Sequence, residues 1–285
     1  MKPGSERAWK RLILAAVLCT MFQSQTHSGT TPPLARDNNV RILEQREANR
    51  VILIAQLTNC TEATITVAMN LVNMAASEGL PVTVDARGRS RFELLTIQAV
   101  DPKQPFHYQY NFKWRPGSRS SETTNSFAYV LPYDKDSRRV TQGPRGTFSH
   151  QAGSDNENAV DFAMPIGSII RAARDGKVVA FWQDSDIGGS NPTNLPYANY
   201  LIIAHDDGTF AEYAHLMQNG VLVKLGQKIK MHEAIALSGN TGFSSMPHLH
   251  FDVFRNLNGT NRLTIPIQFA TKTGEIRSLM PGRIY

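Results

Sequence analysis

Tyr108-Gln109-Tyr110-Asn111-Phe112-Lys113-Trp114 alternates between aromatic and polar residues and ends at Pro116-Gly117. Successive side chains of an extended chain project to opposite faces, so this stretch reads as a strand with one aromatic face and one polar face. Working outward, Ile65, Val67, Met69 and Leu71 alternate the same way, 51–57 is a short apolar run, and 92–100 is a fourth candidate strand. Turn residues at Thr58-Asn59 and Asp85-Ala86-Arg87-Gly88 separate them. Strand signals dominate from 40 to about 133, with 41–50 the segment whose residues fit helix as well as strand. Residues 38–135 are therefore expected to form an immunoglobulin-like β-sandwich. No residue in this half belongs to a chemical constellation, and His107 beside the aromatic strand reads as a packing or surface residue.

Residues 117–145 are rich in Ser, Arg, Thr, Gly and Pro, which places a domain boundary near 133–145 and a second domain over 140–285. There, Asp175-Gly176 lies between 169–174 and 177–181, and Asp206-Asp207-Gly208-Thr209 lies between 200–204 and 210–216; both read as hairpin turns. The chain is thus expected to be all-β, with an antiparallel sheet in its second half. Residues 183–199 carry Gly188-Gly189, Pro192 and Pro196 and are long enough to be a binding loop or lid.

At 285 residues, with 41% hydrophobic and 19% charged residues, the chain can bury a substantial core, which excludes a disordered, collagenous or many-times membrane-spanning protein. Of the formal charge of +6, Lys2, Arg7, Lys10 and Arg11 against Glu6 supply +3 near the start. The rest is scattered and argues against a nucleic-acid partner. The basic start, the apolar run 12–22 and the small polar residues 24–29 have the three-part layout of a secretory signal peptide, expected over 1–28. The run is about half the ~20 residues a spanning helix needs, so no membrane span is expected after cleavage. Cys19 follows Leu18, where a lipidation site prefers a small residue. Processing would leave Cys60 alone, so neither an intrachain disulfide nor a zinc site built from several thiolates is available, and a metal must use His, Asp or Glu.

Six of the eight histidines fall between 150 and 250. His248-Leu249-His250 heads an apolar strand, so His248 and His250 share a face about 7 Å apart while Leu249 enters the core. A metallohydrolase needs three protein ligands, an open position for water, and further groups that move protons. His150, Asp161 and His250 would make a two-His, one-carboxylate zinc site, leaving His215 and His248 for proton work. His205, before the acidic turn, and His232, on a polar stretch, read as structural.

The segments His150, Ala159-Val160-Asp161-Phe162-Ala163-Met164-Pro165-Ile166-Gly167, Tyr213-Ala214-His215-Leu216, and Gly239-Asn240-Thr241-Gly242 followed by His248-Leu249-His250-Phe251 occur in that order. Together they resemble the lysostaphin-like zinc metallopeptidases, the LytM-type endopeptidase family, over about 145–256. The resemblance implies one Zn2+ per chain held by His150, Asp161 and His250, with His215 and His248 as catalytic non-ligands and Asn199 as a substrate-groove contact. It implies hydrolysis of peptide cross-links of bacterial peptidoglycan, with stem peptides and cross-links as the partner, by a monomer exported to the periplasm or envelope or secreted. The family's first His and Asp stand four positions apart, whereas His150 and Asp161 are eleven apart; a longer turn at Gly153-Ser154-Asp155-Asn156 accounts for the excess, with Asp155 as the rival ligand. The competing reading is a catalytically silent wall-binding regulator of other wall hydrolases. A structural or adhesive β protein with incidental metal binding is a more distant one.

Overall fold

The computed structural model describes residues 39–119, 127–134, 137–271 and 273–285, and the signal segment expected over 1–28, with Cys19, lies outside them. Seven strands make up the first half: β1 (Val40–Glu47), β2 (Arg50–Leu57), β3 (Glu62–Val72), β4 (Met74–Ala76), β5 (Val82–Arg87), β6 (Arg91–Ala99) and β7 (His107–Pro116). β1 pairs with β2 along its whole length, from Val40 opposite Leu57 to Glu47 opposite Arg50, so residues 41–47 are strand rather than helix. The apolar β2 has backbone groups on that edge that need partners, and β1 supplies them. The strands form two sheets, β1-β2-β6-β4 and β5-β3-β7. Leu53, Ala55 and Ile97 from the first, and Ile65, Val67 and Trp114 from the second, enter one buried cluster. Along β7, Gln109 and Asn111 are exposed while Trp114 is buried.

The second half contains β8 (Ala128–Val130), β9 (Val140–Gln142), β10 (Val160–Ala163), β11 (Ile169–Arg171), β12 (Gly176–Trp182), β13 (Gly188–Gly189), β14 (Tyr200–Ala204), β15 (Phe210–Ala214) and β16 (Leu216–Val221). After these come β17 (Lys228–Ile229), β18 (Ala234–Ser238), β19 (Gly242–Phe243), β20 (His248–Asn256), β21 (Arg262–Thr264), β22 (Gln268–Ala270) and β23 (Ile276–Arg277). The main sheet runs β17-β12-β14-β15-β20-β10-β9, with β21 added on β20; β11-β18-β16 is a separate small sheet. Asp206-Asp207-Gly208-Thr209 joins β14 and β15 as a hairpin, with His205 N donating to Thr209 O at 2.9 Å. Asp175-Gly176 does not make a hairpin, because β11 pairs with β18 and β12 with β14 and β17. Its carboxylate accepts from Lys230 Nζ and Met231 N, both at 2.7 Å, which fixes a crossing from one sheet to the next. The strand expected over 210–216 breaks at His215, where φ is 61° and the chain leaves the main sheet for the small one.

The two faces of the main sheet pack differently. Leu249, Phe251 and Val253 of β20, with Tyr213, Leu201 and Phe162, enter one core. The opposite face carries Phe254, Phe210, Tyr200, Ile202 and Trp182, which join the cluster of the first-half strands. A backbone bridge between Cys60 and Ala180, and Thr61 N donating to Val179 O at 2.8 Å, continue this contact. The first half is thus packed on the main sheet, on the face to which His248 and His250 project.

Candidate metal centre

Register decides which side chains meet. Gln142 of β9 stands opposite Asp161 of β10, Asp161 opposite His250 of β20, and His250 opposite Ala214 of β15. Directly paired residues share a face, so these four form a row across the sheet. His248, two residues before His250 and opposite Ala163, rises on the same face. Leu249 between them is fully buried on the other side, which anchors the strand.

His150 approaches from the loop before β10. The eleven-residue interval to Asp161 is a string of turns, with Ser154 N bonded to Gln151 O, Glu157 N to Ser154 O and Ala159 N to Asn156 O. It delivers His150 Nε2 to 3.3 Å from Asp161 Oδ1, while His250 Nδ1 lies 3.0 Å from the same oxygen. The second ring nitrogens have carbonyl or carboxylate partners: His150 Nδ1 donates to Gly143 O at 3.1 Å, and His250 Nε2 to Asp252 Oδ2 at 3.2 Å. Such contacts fix the tautomer and aim the other lone pair inward. Gln142 Nε2 donates to Asp161 Oδ2 at 3.0 Å, leaving Oδ1 toward the imidazoles.

These three residues fit a zinc ion. One donor atom from each lies within 4.8 Å of the others. Tetrahedral ligands about 2.0–2.1 Å from a common centre stand about 3.3 Å apart, close to the two separations from Asp161 Oδ1. His150 Nε2 is buried with no hydrogen bond of its own, a costly state for a polar atom that a cation would relieve. Asp155, the rival ligand, is half exposed and pairs instead with Arg115.

His215 and His248 flank the three. Their ring centroids lie 4.5 Å apart, and that of His215 lies 6.0 Å from that of His250. His215 Nδ1 donates to Thr241 O at 2.6 Å and His248 Nδ1 to Met246 O at 2.8 Å, so each turns Nε2 away from the backbone. Burial is the main force lowering both pKa values; for His215, with His248 and His250 adding to it, the value falls to about 3. Both rings are neutral at pH 7. Burial works against ionised Asp161, but the imidazoles of His150 and His250 against it outweigh that and hold the carboxyl well below its usual range. His250 is also buried, yet Asp161 and Asp252 raise it to about 10, which is the preference of this position for a cation.

Asn199 is fully buried and faces protein rather than the groove. Its Nδ2 donates to Ser185 O at 2.8 Å and Leu216 O at 3.2 Å, and its Oδ1 accepts from Ser185 N. With Thr241 Oγ1, which donates to Leu216 O and accepts from Asn199 N, it braces the turn that holds His215. A groove of about 770 Å³ runs over Asp161, His215, His248 and His250 and is lined also by Phe148, Phe243, Leu195 and Met246. Phe148 stacks on Phe243 with centroids 5.7 Å apart, and Gly242 at φ 79° lets β19 lie against Ala198, where a Cβ would stand 2.5 Å from its neighbour.

Asp252 and Arg262 escaped the reading of the sequence. Asp252 continues the two-residue period of His248 and His250, and that periodicity was the available signal. Arg262 Nη2 donates to Asp252 Oδ2 at 2.8 Å, a contact that no local pattern announces.

Comparison with known proteins covers this half. The sequence pattern of peptidase family M23 matches residues 155–262, with His150 five residues ahead of the matched stretch. The peptidoglycan DD-endopeptidase ShyB of Vibrio cholerae is 38% identical over 125 residues, 43% of this chain and 26% of that protein. The glycyl-glycine endopeptidase ALE-1 of Staphylococcus capitis is 36% identical over 121 residues, 42% of this chain and 30% of that protein. The solved structure of LytU is 28% identical, with a TM-score of 0.34, over 51% of this chain and 88% of that one. The chain thus spans less than a third of the length of these two curated relatives. The pattern match over 155–262, a stretch that contains Asp161, His215, His248 and His250, makes this part of the chain a domain of peptidase family M23.

Proposed function

We propose that the chain is an exported zinc metallo-endopeptidase that hydrolyses peptide bonds in the cross-links of bacterial peptidoglycan. The observation that carries this reading is the convergence of His150, Asp161 and His250, with two neutral non-ligand imidazoles beside them. The ShyB and ALE-1 likenesses support the substrate class. The export signal rests on residues 1–28, and the immunoglobulin-like form of the first half on its two facing sheets.

Zinc held by the three residues would supply the Lewis acidity that polarises a carbonyl and makes water nucleophilic near neutral pH. The chain's own residues do the rest. Neutral His215 and His248 each present an Nε2 that accepts the proton of the attacking water and, once charged, returns it to the leaving nitrogen or stabilises the carbonyl oxygen. The backbone carbonyls behind them, Thr241 O and Met246 O, hold each ring in that tautomer. Asn199 acts through the His215 turn, and the stacked Phe148 and Phe243 give the groove an apolar rim suited to an extended peptide.

The test is mass spectrometry of fragments released from purified sacculi, of both direct and glycine-bridged types, by the zinc-loaded chain. Chelated protein and a His215→Ala variant are the controls. New peptide ends appear only with zinc and intact His215, and their chemistry identifies the bond. Zinc binding without cleavage of any wall type would instead support the silent regulator.

A further inference from the structure

Arg115 belongs to β7, in the first half of the chain, yet it lines the groove over the candidate metal centre. Its guanidinium is largely buried and donates from Nη2 to Asp155 and from Nε to Thr260 O at 2.8 Å. Asp155 lies on the string of turns between His150 and Asp161. Its carbonyl oxygen accepts from Arg262 Nε at 3.1 Å, and Asn156 Oδ1 accepts from Arg262 Nη2 at 2.9 Å. Arg262 is itself buried, pairs with Glu212 through Nη1, and donates to Asp252 Oδ2 at 2.8 Å. Asp252, whose side chain has no exposed surface, accepts from His250 Nε2 at 3.2 Å. A continuous polar chain therefore runs Arg115, Asp155, Arg262, Asp252, His250.

The backbone follows the same route. Asn256 Nδ2 donates to Pro116 O at 2.8 Å and Gly117 O at 2.9 Å, and Gly259 N donates to Thr66 Oγ1 at 2.9 Å. A Cβ on Gly259 would stand 2.3 Å from Lys113 O and 2.7 Å from Thr66 N, so this loop is seated directly on β3 and β7. Arg262 begins β21 just beyond it. The first half of the chain thus sets both the loop that presents Arg262 and the carboxylate-bearing turn that Arg262 rests on.

We propose that Arg115 is a positioning residue of the metal centre: through Asp155 and Arg262 it orients Asp252, and Asp252 orients the ligand His250. The first half is then part of the support of the site. This rests on His150, Asp161 and His250 being zinc ligands. Outer partners of metal-bound imidazoles typically change affinity 10–100-fold when removed, and an Arg fork holds two acceptors in a plane that Lys cannot reproduce. An Arg115 that merely joined the two halves would affect stability and leave zinc affinity alone.

The experiment measures zinc affinity of the full chain by competition with a chromophoric chelator, beside thermal unfolding of the metal-free protein. Arg115→Met is expected to bind zinc about 10-fold more weakly, with Arg115→Lys between it and the wild type. Asp155→Asn should weaken binding too, and adding it to Arg115→Met should cost little more, because both act on one path. Arg119→Met removes an ion pair with Asp85 within the first half and should leave zinc affinity unchanged. If Arg115→Met does not fold, the Arg115→Lys and Asp155→Asn affinities decide. Wild-type affinity in folded Arg115 variants would overturn the positioning role alone, whereas a wild-type chain that binds no zinc would overturn the metal reading and this proposal with it.

Discussion

His205 and His215 are both neutral imidazoles, His205 buried and His215 half-buried at the groove, and they differ in what their setting does for the protein. His215 sits at φ 61°, a region that costs a non-glycine residue about 1 kcal/mol or more, and it is held there by Thr241 and Asn199 at the meeting of two sheets. His205 donates Nδ1 to Asp175 O at 2.7 Å and packs edge-on to Tyr129, well away from the groove. Burial pushes its pKa down to about 4; the hydrogen bond to Asp175 opposes this, and the Arg174 guanidinium adds to it. Above about pH 6.5 the ring is neutral in both folded and unfolded chains and has no effect on pH dependence. As pH falls from 6.5 toward 4, the unfolded chain takes up a proton that the folded chain refuses, so stability declines. Between about pH 7 and about pH 4.5 this one group should cost about 2.5 kcal/mol. Urea unfolding of metal-free wild type and His205→Gln at the two pH values checks it: the variant's loss should be smaller by about that amount, and parallel losses would refute it.

At the scale of the element, β20 carries opposite duties on its two faces. His248, His250 and Asp252 stand on one; Leu249, Phe251 and Val253, all fully buried, stand on the other. Phe251 packs against Tyr213 and Phe269 with centroids 5.0 and 5.8 Å away. Phe251→Ala should therefore destabilise the protein by about 3–5 kcal/mol and, by loosening the strand's register against β10, weaken zinc binding as well. Denaturant unfolding with a parallel zinc titration tests both; a variant that loses stability yet keeps wild-type zinc affinity would show that β10 and β15 hold the ligands without this anchor. The period of two made this strand legible in the sequence, and it gave the shared face of His248 and His250 directly. Asp252 obeys the same rule but lacks the surrounding motif that drew attention to the histidines. The Asp175-Gly176 crossing misled because Asp-Gly has the same local chemistry whether the next strand returns to its neighbour or departs to another sheet; only the distant partners Lys230 and Met231 decide. Asn199 shows the same limit, since its bonds to Ser185 and Leu216 join loops that are remote in sequence.

Across the whole molecule, the described strands of the first half and the main sheet pack on one another. Side chains from β2, β3, β6 and β7 share one cluster with Tyr200, Ile202, Phe210 and Phe254 of the main sheet. Independent domains unfold separately, whereas a shared core couples them. The chain is expected to melt in a single calorimetric transition, with the calorimetric and van't Hoff enthalpies equal; two resolved transitions would contradict the coupling.

The loop 257–261 lies on β3 and β7, while Arg262 after it braces Asp252 and the turns 151–158 close the circuit to Arg115. Three stretches far apart along the gene therefore answer to one another. A recombination that exchanged the front half between relatives would have to carry β7, the 151–158 turns and the 257–261 loop as a set, and inheritance of any one without the others would deliver the histidines intact onto a frame cut for a different partner.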